Sequence, residues 1–114
     1  MELYNYRATV LNVVDGDTVD LTVDVGFRMW MQDRFRLLGI NAPEMKTPAG
    51  PDAKAFLVSL LPVGTKVLIS TRKPRDKWGR WLAEIRRTDA NGDPEAVTID
   101  KQMISSGHAV PFMV

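Results

Sequence analysis

The sequence contains no cysteine and a single histidine, His108, and these two shortages exclude several kinds of site. Without cysteine the chain forms no disulfide and offers no thiolate ligand, and one imidazole cannot build a zinc centre by itself. Any metal is therefore expected to be held by oxygen atoms. His108 follows the last predicted helix, and we interpret it as a packing or surface residue rather than a catalytic one.

Long apolar runs are also missing. The longest covers a few residues, far short of the ~20 that cross a bilayer, and the N-terminus lacks a basic stretch followed by an apolar one. We expect a soluble protein with no membrane partner, cytoplasmic in a bacterium or a phage-infected host unless a secretion signal was removed. Its 114 residues, 45% hydrophobic and 25% charged, predict one globular domain over residues 1–114 and a monomer.

The charges nearly cancel, to a net charge of +1, but they are segregated along the chain. Acidic residues gather in the N-terminal part: Asp15, Asp17, Asp20 and Asp24. Basic residues gather in a predicted loop over residues 72–80: Arg72, Lys73, Arg75, Lys77 and Arg80. An acidic region suits a cation and a basic loop suits a polyanion.

Alternating β-branched residues predict strands over residues 7–14 and 18–25, joined by a hairpin turn in which Gly16 is expected to supply a positive φ. A turn or bulge around Gly26 precedes a third predicted strand over 34–40. Two further strands are predicted at 66–70 and 81–85, the second with Trp81, Ala83 and Ile85 facing the core, and a turn at 89–94.

Two helices are predicted between and after these strands. The first begins at Gly50-Pro51-Asp52 and ends at Pro62. The second runs from Asp100, taken as its N-cap, to Ser106, with Gly107 ending it in a left-handed conformation. The order of elements favours an α+β, mostly β fold, an OB-fold five-stranded β-barrel with two to three short helices, an architecture that binds oligonucleotides.

Three segments carry candidate chemistry, namely Val14-Asp15-Gly16-Asp17-Thr18, the stretch from Arg36 to Glu44, and Asp76-Lys77-Trp78-Gly79-Arg80-Trp81-Leu82-Ala83. In this order they closely resemble the staphylococcal nuclease-like (thermonuclease) family, over roughly residues 8–110. The resemblance implies a Ca²⁺-dependent endonuclease that hydrolyses phosphodiester bonds in DNA, preferably single-stranded, and in RNA, leaving 3′-phosphate ends.

The resemblance also implies a metal site. Asp17 is its carboxylate ligand, and Asp15 and Thr18 support the turn around it. Asn41 stands where the family usually has a second carboxylate, so we expect its amide oxygen and the Ala42 carbonyl to bind Ca²⁺ more weakly. Read without the resemblance, the Asp-Gly-Asp segment is simply a hairpin turn.

By the same resemblance Arg36 and Arg80 are catalytic arginines and Glu44 is the general base. Lys77 is expected to bind a terminal phosphate and Trp78 to stack on a sugar or base. The plainer alternatives are a surface glutamate and a solvated run of charge. The family's C-terminal tyrosines have no match here, so nucleotide contacts must differ there. The alternative function is a catalytically silent nucleic-acid-binding or protein-interaction module, favoured by the missing charge at Asn41.

Overall fold

The computed structural model describes residues 4–72 and 80–112, and within them a closed five-stranded barrel. Strands β1 (Tyr4–Asp15), β2 (Thr18–Gly26) and β3 (Met29–Leu37) form an antiparallel meander. Strands β5 (Lys66–Arg72) and β6 (Trp81–Arg87) pair with each other, and β5 pairs with β1. Parallel pairing of β3 with β6 over Phe35–Leu37 closes the barrel. The predicted OB-fold barrel is therefore confirmed.

Helix α1 (Ala49–Leu60) and helix α2 (Ile99–Ser105) pack on this barrel, and a two-stranded sheet of β4 (Ile40–Asn41) and β7 (Val110–Pro111) lies beside them. The core holds residues from every barrel strand together with Ala53 and Leu57 of α1 and Met103 of α2. No helix of the described ranges is long and apolar enough to cross a membrane. Gly107 ends the last helix with φ 83°, as predicted.

Strand β3 begins at Met29, five residues before the predicted start, and this prediction was wrong. The residues from Met29 to Arg34 are held by antiparallel pairing with β2, yet Met29 and Trp30 are exposed. Their apolar side chains face solvent, so the sequence lacks the alternation that marks a half-buried strand. The strand also ends earlier than predicted, because Gly39, with φ 81°, turns the chain towards β4.

Gly16 does not supply a positive φ, contrary to the sequence prediction. The turn requires glycine for a different reason. A Cβ at this position would lie 2.8 Å from the Cβ atoms of both Ala42 and Ala53, closer than real Cβ contacts come. Gly16 therefore lets the β1–β2 turn approach α1 and the segment that follows β4.

Asp100 is not the N-cap of α2; Thr98 is, and its side chain accepts a hydrogen bond from Lys101 N at 3.1 Å. Asp100 lies buried in the first turn, where Oδ1 accepts a hydrogen bond from Ile85 N at 2.9 Å. Of the three predicted core residues on β6, Ala83 and Ile85 are buried and Trp81 is partly buried against the core. Leu82, which alternation placed outside, is buried too.

Candidate functional site

Asp17 occupies the β1–β2 turn, where it is buried and held by hydrogen bonds to three neighbours, two of them to its carboxylate. Its Oδ2 accepts a hydrogen bond from Ala42 N at 2.9 Å, and its Oδ1 accepts one from Thr18 Oγ1 at 3.0 Å. The Asp17 backbone N–H donates to Asp15 Oδ1 at 3.1 Å. The turn therefore presents one carboxylate in a fixed position beside the segment that leaves β4.

Arg36 lies near the end of β3 and reaches the same point. Its Nη2 donates to Ile40 O at 3.1 Å and to Asn41 Oδ1 at 3.0 Å, and lies 3.8 Å from Asp17 Oδ2. Both hydrogen bonds use Nη2, one of the three nitrogens of the guanidinium, and the Arg36 side chain is buried, with 9% of its area exposed. The structure thus brings together six predicted site residues: Asp15, Asp17, Thr18, Arg36, Asn41 and Ala42.

Phe112 covers the Arg36 guanidinium. The Arg36 Cζ lies 4.9 Å from the ring centroid, within the range of a cation–π contact. The ring is held in place because Phe112 N donates to Gly39 O at 2.9 Å, just after β7 pairs with β4. The C-terminal segment therefore contributes to the site through a residue that sequence analysis did not single out.

Glu44 projects into solvent, with its side chain 70% exposed and Oε2 3.2 Å from Lys46 Nζ. Its backbone is fixed, because Glu44 O accepts hydrogen bonds from Thr47 N at 2.9 Å and Thr47 Oγ1 at 2.6 Å. Gly50 at the start of α1 permits this arrangement, since a Cβ there would collide with the Glu44 carbonyl. The segment is anchored while the carboxylate stays accessible.

Arg80 directly precedes β6 and is half-buried. Parallel pairing sets Trp81 beside Phe35 and Leu82 beside Arg36, so the topology brings the chain at Arg80 close to the strand that carries Arg36. Lys77 and Trp78, like the rest of residues 73–79, lie outside the described residues.

Electrostatics distinguish the carboxylates on this face. Burial raises the pKa of Asp15, and the neighbouring Asp17 raises it further through a side-chain hydrogen bond and charge repulsion. At Asp20 the Arg34 guanidinium, with Nε 2.9 Å from Oδ1, lowers the pKa of the carboxyl. Negative charge is therefore disfavoured at the Asp15 carboxylate, and a nearby cation would relieve that penalty.

Sequence comparisons agree with this geometry. Residues 34–114, well over half the chain, match the family described as Staphylococcal nuclease homologue. The chain belongs to the staphylococcal nuclease family. The matched residues include Arg36, Asn41, Glu44 and Arg80, whereas Asp17 lies before them. Membership points to a nuclease or nucleic-acid-binding function.

Three curated relatives can be named. Protein ParB of Escherichia coli is 29% identical over 105 residues, covering 90% of this chain and 55% of its own length. Two rice proteins (Oryza sativa subsp. japonica), Probable staphylococcal-like nuclease CAN2 and CAN3, are each 33% identical over 79 residues, covering 69% of this chain and 19% of their own length. The chain thus spans about half of the bacterial relative and about a fifth of the plant ones.

The chemical types of the candidate metal ligands in this staphylococcal nuclease homologue fit a hard cation. Carboxylate, amide and carbonyl oxygens at Asp17, Asn41 and Ala42 are the ligand types that Ca²⁺ takes. The hydrogen bonds at Asp17 and Asn41 leave acceptor capacity, because a carboxylate offers about four lone-pair sites and an amide oxygen two. In the described ranges, however, no three acidic or histidine side chains come together as a metal-binding group. The negative charge at the site is therefore small.

Two residues important to the site were missed from the sequence. Gly50 was interpreted as part of a helix start, and only its close approach to the Glu44 carbonyl shows its second role. Phe112 carries no motif, and its contact with Arg36 depends on the β4–β7 pairing of distant segments. His108 stacks on Phe56, with ring centroids 4.6 Å apart, in agreement with the predicted packing role.

Proposed function

We propose that this domain is a Ca²⁺-dependent endonuclease that hydrolyses phosphodiester bonds in DNA, preferably single-stranded, and in RNA. The observation that carries the proposal is the position of Arg36, whose Nη2 lies between Asp17 and Asn41 in a chain of the staphylococcal nuclease family. A guanidinium held rigidly at an oxygen-rich site suits a phosphate, because it stays charged and can bind two oxygens at once.

In this proposal a phosphate binds between Arg36 and Arg80, which neutralise charge that develops on its oxygens. Glu44 takes a proton from the attacking water as the new P–O bond forms. The bond from phosphorus to the 5′ oxygen breaks, and that oxygen takes up a proton. The exposed carboxylate and the fixed backbone of Glu44 support this role, because a general base must be accessible to water and must keep its position relative to the substrate. Lys77 is proposed to bind the terminal phosphate and Trp78 to stack on a sugar or base.

Asp17, Asn41 and the Ala42 carbonyl would hold Ca²⁺, with Asp15 and Thr18 supporting the turn. When bound, the ion supplies positive charge next to the phosphate. The Asp17 carboxylate is already positioned by Ala42 N and Thr18 Oγ1, so it needs little reorganisation to bind a cation. The positive charge of Arg36, whose Nη2 lies 3.8 Å from Asp17 Oδ2, partly neutralises the Asp17 carboxylate. We therefore expect this site to bind Ca²⁺ weakly.

A silent nucleic-acid-binding module is the second candidate. Asn41 supports it, because its uncharged amide accepts a hydrogen bond from Arg36. The two candidates differ in one outcome. Both predict binding of a polynucleotide, and only the first predicts new 3′-phosphate ends.

The deciding experiment is digestion of a fluorescent single-stranded oligonucleotide in about 10 mM CaCl₂, chosen to exceed the dissociation constant of a weak oxygen site. We expect cleavage that EDTA and Glu44→Gln each abolish. Glu95→Gln is the matched control, because Glu95 is also ion-paired, with Oε1 2.8 Å from Arg87 Nε, and is not a residue of the candidate site. Binding without cleavage, with Glu44→Gln indistinguishable from the unmodified chain, would establish the silent module instead.

A further inference from the structure

The tip of the β2–β3 hairpin exposes large apolar side chains. Phe27 is 97% exposed and Trp30 is 63% exposed, and Met29 between them is also open to solvent. Scattered exposed apolar residues are common, but three within four positions of one hairpin form a local patch. An exposed apolar patch of this kind is typical of a binding surface.

The backbone of the tip is unusual as well. Phe27 and Arg28 have φ values of 55° and 59°, in the left-handed region, following Gly26 at 87°. Left-handed backbone is unfavourable for residues with a Cβ, and turns of this type ordinarily contain glycine, asparagine or aspartate. The chain therefore holds a phenylalanine and an arginine at the apex although smaller residues would fit better, and such outliers point to function.

One face of β3 connects this tip to the candidate site. Side chains alternate along a strand, and inward-facing Phe35 and Leu37 are buried. The opposite face therefore carries the exposed residues Trp30, Gln32 and Arg34, in a row that ends at Arg36, whose side chain is buried. Trp30 stands six residues from Arg36, up to about 20 Å at ~3.3 Å per residue, a length that about six stacked nucleotides cover.

From this arrangement we propose that the hairpin tip is a second binding site for single-stranded nucleic acid, in which Trp30 and Phe27 stack on bases about six nucleotides from the phosphate held at Arg36. Exposed aromatic rings accept bases of any sequence, and Arg28 at the apex adds a cation for the backbone. The inference rests on the proposed function in one respect, that Arg36 binds a phosphate of the same strand.

The charges nearby limit the extent of this second site. Asp24 pairs with Trp30 across the hairpin, and its Oδ1 accepts a hydrogen bond from Gly26 N at 2.9 Å. A groove of about 870 Å³ beside Trp30 has three basic and three acidic side chains. They are Arg7, Lys66 and Arg87 against Asp24, Asp89 and Glu95. The groove does not select a polyanion, so the proposed site is confined to the tip and the outer face of β3.

The test measures binding in EDTA, so that nothing is cleaved, to single-stranded DNA of about four and about twelve nucleotides. Trp30→Ala should weaken binding of the longer strand by about ten- to a hundredfold, whereas the shorter strand, which cannot reach from Arg36 to the tip, should lose less than about twofold. Trp30→Phe should retain most of the affinity, since it keeps a stacking surface. Val63→Ala, which trims another exposed apolar residue, is the control.

A strand with abasic sites at its distal half separates stacking from other effects. The unmodified protein should bind that strand about as weakly as Trp30→Ala binds the complete one, and the variant should bind both equally. The inference would be overturned if Trp30→Ala bound the complete strand as tightly as the unmodified protein does. It would also be overturned if the substitution lowered the affinity for the complete strand and for the abasic strand by the same factor. Cleavage is measured in a separate experiment. If the domain does not cleave but its binding of the longer strand depends on Trp30, the hairpin-tip site is supported and only the proposed nuclease function is wrong.

Discussion

Asn41 decides how much negative charge a cation meets at this site. It is exposed, its Oδ1 accepts a hydrogen bond from Arg36 at 3.0 Å, and Asp17 is the one charged member of the proposed donor set. We expect Asn41→Asp to tighten Ca²⁺ binding by about ten- to a hundredfold, because a second carboxylate adds Coulomb attraction at a partly screened position. Calorimetric titration with CaCl₂ measures the change directly.

The control for that substitution is Asn91→Asp, which adds the same charge in the exposed turn near Asp89. It should leave Ca²⁺ affinity unaltered, because exposed charges more than about 10 Å apart are largely screened at ordinary ionic strength. If Asn41→Asp also leaves the affinity unaltered, Asn41 is not a ligand and the proposed donor set is wrong.

Phe112 contributes to the site through one contact, the packing of its ring against the Arg36 guanidinium. Replacing it with leucine removes the aromatic face under Arg36 while keeping the backbone hydrogen bond to Gly39. The free energy of unfolding should fall by about 0.5–1 kcal/mol, the usual size of a partly exposed cation–π contact. Urea denaturation measures it, with Phe27→Leu as the control because that ring is 97% exposed. Equal losses in both variants would contradict a specific contact with Arg36.

The elements show which parts of the structure local sequence patterns could predict. The β1–β2 hairpin and α1 were predicted because buried and exposed residues repeat there at the period of a strand or a helix. The first half of β3 was missed because Trp30 is apolar and exposed, so burial does not follow residue type. The sequence analysis assigned the N-cap of α2 to Asp100, whereas the structure has it at Thr98. Both residue types cap helices, and only the tertiary hydrogen bond from Ile85 N to Asp100 distinguishes them.

The site divides in the same way. Short motifs identified Asp17, Arg36 and Asn41, and the fold brings them within hydrogen-bonding or ion-pair distance. Gly16 and Phe112 depend on approaches between elements far apart in the chain. A glycine required by a neighbouring helix and one required by a turn look identical in sequence, so no local pattern could separate them.

The junction of β6 with α2 contains a buried acid that should make stability depend on pH. Burial raises the pKa of Asp100 to about 7 from 3.8, against the effect of the hydrogen bond from Ile85 N, and nearby Glu84 raises it further. Between these values the folded chain binds a proton that the unfolded chain has lost. The free energy of unfolding should therefore fall as pH rises from about 4 to 7, by up to about 1.4 kcal/mol per pH unit.

Asp100→Asn tests this element, because the amide keeps an oxygen for Ile85 N and does not ionise. Urea denaturation at several pH values should show a flatter profile for the variant, with the largest gain over the unmodified protein above pH 7. Asp52→Asn, at an exposed position in the first turn of α1, should keep the original slope. Parallel profiles for Asp100→Asn and the unmodified protein would show that Asp100 does not carry the pH dependence.

The whole molecule is nearly neutral, with 15 basic and 14 acidic residues, and this limits how it can bind a polyanion. A protein that used its entire surface would release many counterions from a single strand, at a slope of about −0.7 in log affinity against log salt for each phosphate neutralised, or about −10 for all its cations. Binding through Arg36, Lys77 and Arg80 alone gives a slope of about −2. The remaining basic residues of the 72–80 segment bring it to about −4, and Arg28 at the hairpin tip brings it to about −5 at most.

We therefore expect a shallow salt dependence for single-stranded DNA binding, measured by fluorescence anisotropy in EDTA between about 50 and 200 mM salt. Lys77→Gln should reduce the slope by about 0.7, since it removes one phosphate contact, whereas Lys101→Gln on α2 should not alter it. The position of the contacts matters more than their number, because the proposed stacking at Trp78 and at the hairpin tip would add affinity that salt does not screen. A slope steeper than about −6 would mean that phosphates contact cations well beyond these segments, and the compact track from Arg36 along β3 would then be wrong.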